Sequence, residues 1–317
     1  MDLNILINEL KSLSDYFSSI EIYDIYTNSK IYEVLMAVQF NHIIKNGHAY
    51  TPDAYDESYN FYEYKHYKLS SSNHTWTIND FSALTITKLK NVKSVYFAVI
   101  NDDGIIPYVS EAYIVPGILV SEYLYNATPK IQNNRKMINI SKHQIMENMT
   151  YEIIYPSDNW SHAKLKNVFI TANKIEKLIN VKSILTSNKL WELLVAYKLG
   201  HKINPEQKSH DAYDNNGHTY EYKVRSNFTR SWMFQDISEN VLNSYLTDEK
   251  IVLAVVNKRD FIVEDIYLCN PAAIVAILEW QLEQKRKRFS EIRRLSASIG
   301  VRDIHAMLKY GDAEWVR

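Results

Sequence analysis

Asp53–Lys65 reads D-A-Y-D-E-S-Y-N-F-Y-E-Y-K, and Asp211–Lys223 reads D-A-Y-D-N-N-G-H-T-Y-E-Y-K. Asp-Ala-Tyr-Asp, five variable residues and Tyr-Glu-Tyr-Lys recur at the same internal spacing, 158 residues apart in a chain of 317. A pattern of acidic, aromatic and basic residues repeated at fixed spacing requires the chain to build one local structure twice. Each copy reads as a tight β-hairpin, because Tyr and Phe favour strands and Asn216-Gly217 is a strong hairpin-turn signal. Two apart on a strand, Glu63 and Lys65 project from one face, as do Glu221 and Lys223. A lone Glu-x-Lys is ordinarily a surface ion pair of little energetic weight. An Asp ten residues upstream of the Glu, with the whole set duplicated, points instead to a site built twice.

Two carboxylates converging across a hairpin make an oxygen-rich pocket suited to a hard divalent cation such as Mg²⁺. A cation there polarises a phosphodiester and acidifies water, and a neighbouring Lys holds negative charge as it develops. Which Asp shares the face of the Glu depends on the turn. A two-residue Asn216-Gly217 turn sets Asp214 opposite Thr219, on the face of Glu221 and Lys223, and directs Asp211 to the other side. A longer turn or a bulge returns Asp211 to that face. At this point the choice between Asp211 and Asp214, and between Asp53 and Asp56, stays open.

The repeat extends beyond the motif. Asn4 to Ser19 spaces Ile5, Leu6, Leu10, Leu13 and Phe17 as a helix, and Val168 to Ile184 is its counterpart. Thr27-Asn28-Ser29-Lys30 and Thr186-Ser187-Asn188-Lys189 then introduce helices with polar caps. Those helices carry Glu33 and Glu192 in the same slot, for which a solvated or capping role is the plainer expectation. After each motif a polar stretch runs to a Trp, Lys68 to Trp76 and Arg225 to Trp232, with His74 and Arg230 as donors. Val95–Ile100 and Ile251–Val256 are continuous apolar runs of the kind found in buried strands. Pro116 and Pro271 close the following strands and open helices. The second of these helices ends in the basic run Lys285-Arg286-Lys287-Arg288, with Arg293-Arg294 beyond. The expected architecture is α+β, a mixed sheet with flanking helices in each of two tandem halves, residues 1–158 and 159–317.

Composition narrows the field. Hydrophobic residues make up 46% and charged residues 23%, which is globular rather than disordered. A net charge of −1 provides no general basic field, so any nucleic-acid contact must rest on local patches. With Cys269 alone there is no internal disulfide and no cysteine zinc site. None of the seven Gly opens a Gly-Lys-Ser/Thr phosphate loop, so no nucleotide cofactor is expected. Met1 to Ser12 lack the pattern of a signal peptide and no apolar run is long enough to span a membrane, so the expected compartment is cytoplasmic.

Pro52-Asp53 followed by Glu63-Tyr64-Lys65 resembles the PD-(D/E)xK nucleases. His210 to Gly217 with Tyr220-Glu221-Tyr222-Lys223 is similar to the active-site hairpin of the PvuII-type restriction endonucleases. That similarity continues through Asn188 to Leu194, Leu253 to Val256 and Glu264 to Tyr267. The resemblance implies that Asp53, Glu63 and the Tyr64 carbonyl hold the metal in one half, and Asp211, Glu221 and the Tyr222 carbonyl in the other. It assigns Lys65 and Lys223 to the water nucleophile and favours Asp53 and Asp211, with Asp56 and Asp214 in reserve. Those enzymes are homodimers, and this chain resembles two subunits fused head to tail, a pseudo-dimer in one monomer. The resemblance implies a Mg²⁺-dependent, sequence-specific endonuclease (a type II restriction enzyme) acting on double-stranded DNA. A junction resolvase, a repair nickase or a non-catalytic DNA-binding protein on the same scaffold are the alternatives. The family reads bases from its C-terminal segment, which makes Asn133, Asn134, Asn139, Arg302 and His305 candidates, Asn and Arg being suited to purine edges. The run of histidines that the family carries after the catalytic strand is missing here.

Overall fold

The computed structural model describes residues 2–45, 51–79, 82–130, 137–205, 210–288 and 295–316. The chain forms two compact units, one of Asn8–Asn173 and one of Lys174–Arg317 with Met1–Ile7. Where the sequence pattern restarts, near residue 158, is thus not where the units meet.

The first half runs α1 (Leu3–Ser19), α2 (Lys30–Phe40), β1 (Ile43–Ile44), β2 (Ala54–Tyr55), β3 (Phe61–Lys68) and β4 (Trp76–Ile78). It continues with α3 (Ala83–Asn91), β5 (Ser94–Asn101), β6 (Tyr108–Pro116), α4 (Gly117–Ala127), β7 (Ile138–Ile140), α5 (Lys142–Asn148) and β8 (Glu152–Ile154). The second half runs α6 (Ala163–Ile179), α7 (Lys189–Leu199), β9 (Lys202–Ile203), β10 (Ala212–Tyr213), β11 (Thr219–Ser226) and β12 (Ser231–Ile237). It ends with α8 (Glu239–Tyr245), β13 (Lys250–Asn257), β14 (Ile262–Cys269), α9 (Pro271–Arg288), β15 (Leu295–Gly300), α10 (Val301–Tyr310) and β16 (Ala313–Val316). The fold is α+β.

Among the described residues each half holds a six-stranded mixed sheet, ordered β1-β2-β3-β5-β6-β8 in the first and β9-β10-β11-β13-β14-β16 in the second. The central pairs β3–β5 and β11–β13 are parallel, and their neighbours are antiparallel. The apolar runs occupy the centre, as continuous hydrophobicity requires of strands covered on both faces. From β5, Val95, Phe97 and Val99 pack against Leu89 of α3 and Val120 and Leu124 of α4. The alternate residues Tyr96 and Ala98 pack with Tyr62, Tyr64 and Met36 of α2 on the opposite face. A bulge falls at Val99/Ile100 and again at Val255/Val256, so the irregularity repeats with the fold.

Two local expectations change. The helix expected over Val168 to Ile184 is α6, Ala163–Ile179: it starts early because His162 Nδ1 accepts from Leu165 N at 3.1 Å. It stops early because Asn180 turns left-handed, at φ 54°. The polar residues before α2 and α7 make no side-chain cap; Asn28, Ser29 and Ser187 instead supply left-handed turns. Asn tolerates that region better than most residues, because its side chain bonds locally.

Trp76 and Trp232, at the ends of the polar stretches, are fully buried. Their indoles donate to Ala98 O and Ala254 O, each at 2.8 Å. They pin β4 and β12 over the central strands. Gly117 opens α4 where a Cβ would lie 2.3 Å from Leu89 O and 2.4 Å from Val92 O. Only glycine lets α4 approach the end of α3 so closely.

Candidate active site

The duplicated hairpin closes through a longer turn than two residues. Tyr213 pairs with Thr219 and Ala212 with Tyr220, and Tyr55 with Phe61 and Ala54 with Tyr62. One step further along, Asp211 faces Glu221 and Asp53 faces Glu63, which puts each first Asp on the face of its Glu and Lys. Asp56 and Asp214 build the turn instead. Asp56 Oδ1 accepts from Ser58 N and Asn60 N, and its Oδ2 accepts from Asn60 Nδ2 and Tyr62 Oη. Asp214 Oδ1 accepts from Asn216 N and His218 N in the same manner. The Asn60 side chain, with further bonds from the backbone and Tyr62, holds Asp56 well below the usual carboxylate range.

Asp53 and Asp211 act where the backbone ladder ends. Strands β2 and β10 stop after two residues, and the next strand NH is satisfied by a carboxylate: Tyr64 N donates to Asp53 Oδ2, and Tyr222 N to Asp211 Oδ2, both at 2.8 Å. Lys65 Nζ bridges Glu63 Oε1 at 2.8 Å and Tyr64 O at 2.9 Å. Lys223 Nζ bridges Glu221 Oε1 and, at 3.2 Å, Tyr222 O. The carbonyl-bearing tyrosines are themselves clamped, with Tyr64 Oη 2.8 Å from His42 Nδ1 and Tyr222 Oη 2.8 Å from His201 Nδ1. Burial lowers His42 to about 4, so it is a neutral partner.

The surrounding charges were only partly anticipated. Glu33 and Glu192 belong to the cluster rather than to solvent. Burial first, then the charge of Asp53, raises Glu33 to about 8; burial and then Asp211 raise Glu192 to about 8. Burial and the charge of Glu63 raise Asp53 to about 6. Burial is the larger cause of each shift, and the neighbouring carboxylates add to it. Lys65 and Lys223 are raised above the usual lysine value: burial opposes this, but the carboxylates of Glu63 and Asp53, or of Glu221 and Asp211, outweigh it.

The halves differ at their glutamates. Lys88 of α3 lies 2.7 Å from Glu63 Oε2. Burial opposes ionisation of Glu63, yet Lys65 and Lys88 together hold its carboxyl below the ordinary value. Glu221 is raised to about 7, mainly by burial, which Lys223 only partly offsets. Asp248, beside this second cluster, is buried and held by His210 Nδ1 at 2.6 Å. Lys88 and Asp248 carried no motif in the sequence, since each reaches its site only through the packing of the segment before β5 or β13.

The proposed reading residues are dispersed. His74 is exposed, stacked on Tyr67 with ring centres 5.5 Å apart. Arg230 is exposed in the loop before β12. Asn139 on β7 accepts from Thr77 Oγ1 at 2.8 Å and is exposed. Arg302 and His305 lie three apart on the exposed side of α10, opposite Ile304 and Met307. Asn133 and Asn134 lie outside the described residues.

Among the described residues no three or more His, Cys, Asp or Glu side chains form a ready-made metal cage. The donor set nonetheless fits Mg²⁺, which is typically held by one or two carboxylates completed by water and substrate phosphate. In both halves an ammonium already bridges the glutamate and the tyrosine carbonyl, so these oxygens hold a cation. No helix among the described residues is long and apolar enough to cross a membrane. None of the family models compared with the chain matches it, and neither does any curated protein.

Proposed function

We propose that the protein is a Mg²⁺-dependent endonuclease that cuts both strands of duplex DNA at a specific sequence, with one active site in each half. In this reading it is a restriction enzyme of the type II kind, a single chain acting as a pseudo-dimer in the cytoplasm. One observation carries the proposal: the same Asp, Glu and Lys constellation, with the same backbone bonds, is built twice on equivalent hairpins. A structural ion pair needs neither the second acid nor the duplication.

Asp53 with Glu63 and the Tyr64 carbonyl, and Asp211 with Glu221 and the Tyr222 carbonyl, would hold the metal. When bound, the ion supplies Lewis acidity toward the scissile phosphate and toward water. Lys65 and Lys223, kept protonated by their carboxylates, act as donors and positive charges rather than as bases. Each orients the attacking water and stabilises negative charge developing on the phosphate. The His42 and His201 clamps fix the tyrosine backbone, so the carbonyl and the following Lys keep their directions. Arg230, His74, Asn139, Arg302 and His305 supply exposed donors for bases or phosphates.

Incubating the chain with linear duplex DNA and Mg²⁺, then sequencing the ends, tests the proposal. Discrete fragments sharing one end sequence are expected. Cleavage undiminished in excess EDTA, or no cleavage of any duplex, refutes it. Preference for branched DNA would replace it with the junction-resolving alternative, and binding without cleavage with the non-catalytic one.

A further inference from the structure

On that nuclease reading, the two sites can be compared residue by residue. Ser82 and Ser238 both cap their helices, accepting from Thr85 N and Val241 N. Lys93 N donates to Phe61 O at 2.8 Å and Glu249 N to Thr219 O at 2.9 Å, which anchors both segments to the same strand position. The two anchors align Lys88 with Ser244, and Val92 with Asp248.

The first half thus carries a positive charge where the second is neutral, and the second a negative charge where the first is neutral. Lys88 Nζ lies 2.7 Å from Glu63 Oε2, with side chains only 8% and 5% exposed, and also donates to Thr51 O at 3.2 Å. The Ser244 hydroxyl donates to Val241 O at 2.8 Å. Asp248 adds a buried carboxylate to the second cluster. Lys30 and Lys189 bear on Glu33 and Glu192 alike in both halves. Otherwise, among the described residues, Glu33, Asp53 and Glu63 face two ammoniums, Lys65 and Lys88. Glu192, Asp211 and Glu221 face one, Lys223, while the added carboxylate of Asp248 is held by His210 at 2.6 Å.

We infer that Lys88 is a built-in counter-ion that makes the first-half site the weaker binder of divalent cations, so that the second-half site loads first and its strand is cut first. Both oxygens of Glu63 are engaged by ammonium groups, so an arriving cation must displace one and share the pocket with the other. Glu221 has one such partner. A charge difference of this size in a poorly screened pocket separates the affinities by about tenfold or more. Lys88 acts through Glu63 and is a positioning residue.

The test is Mn²⁺ binding to the full chain without DNA, read from the resonance signal of free Mn²⁺. Two classes of site, about tenfold or more apart, are expected. Glu221→Gln should remove the tighter class and Glu63→Gln the weaker. Lys88→Ser should tighten the weaker class and Ser244→Lys should loosen the tighter one, opposite effects that general damage to the fold does not produce. In cleavage, the nicked intermediate should be cut in the strand that Glu63→Ala still nicks. Equal classes in the wild type, a tighter class lost with Glu63→Gln, or unchanged binding in both Lys88→Ser and Ser244→Lys would overturn the inference and leave the metal reading standing. Absence of Mn²⁺ binding in both halves would overturn both.

Discussion

Replacing Lys223 by Met removes the ammonium bonded to Glu221, whereas replacing Lys65 by Met leaves Glu63 paired with Lys88. Met keeps most of the apolar stem, so the comparison is mainly electrostatic. Glu221 titrates near 7, raised by burial against the opposing effect of Lys223. Without Lys223 it titrates higher. A carboxyl whose folded pKa lies above its unfolded value binds its extra proton in the folded state. The associated stability is present at low pH and is lost as pH rises toward the folded pKa. In the wild type the loss from Glu221 is largely complete just above pH 7; in Lys223→Met it continues, at about 1.4 kcal/mol per pH unit for one proton. The deficit of Lys223→Met against wild type should therefore widen by about 1–2 kcal/mol between pH 7 and about pH 8.5. Lys65→Met shares the smaller losses at the helix acids, because Lys65 and Lys223 lower Glu33 and Glu192 alike. It lacks the contribution from the strand glutamate, which Lys88 keeps paired, and adds one from Asp53, which Lys65 lowers and which starts from about 6. Urea unfolding in EDTA at several pH values, followed at the transition of the altered unit, measures both deficits. Equal pH dependence of the two variants, or a Lys223→Met deficit that stays constant from pH 7 upward, would refute the reasoning.

Changing Lys65 and Lys223 to Ala together should lower cleavage by at least about a hundredfold while leaving duplex binding nearly unchanged in a mobility-shift assay, since each lysine serves the water and the developing charge. Wild-type turnover by that double variant would remove the lysines from the mechanism. Glu63→Ala and Glu221→Ala should each nick one defined strand of the same site, and opposite strands. Clean double-strand breaks by either single variant as a monomer would contradict the division of labour. Gly117→Ala places a methyl against Leu89 O and Val92 O and should destabilise its unit by about 1–3 kcal/mol in calorimetry. An unshifted melting temperature would show that α3 and α4 do not meet as described.

The amino-acid sequence by itself determined the hairpins, the central strands, the repeat and the acids and lysines of the hairpins, because those depend on residue type and on periods of two and 3.6. Val95–Ile100 and Ile251–Val256 had to be central strands, as no exposed position accommodates such apolar runs. The choice of Asp53 over Asp56, and of Asp211 over Asp214, followed in the sequence from the resemblance alone and was left open by strand geometry. It turns on the length of the loop, and Asn216-Gly217 is compatible with more than one; the pairing of Tyr213 with Thr219 decides it. Glu33 and Glu192 looked like ordinary helix acids until the docking of α2 and α7 placed them in the charge of Asp53 and Asp211. Trp76 and Trp232 looked like the ends of polar loops, and only the sheet beneath them supplies the carbonyls that make them anchors. Lys88 and Asp248 had no signal at all. Each lies 25 or more residues from the Glu it influences, and a charge so remote in the chain acquires a partner only when helix and strand pack together.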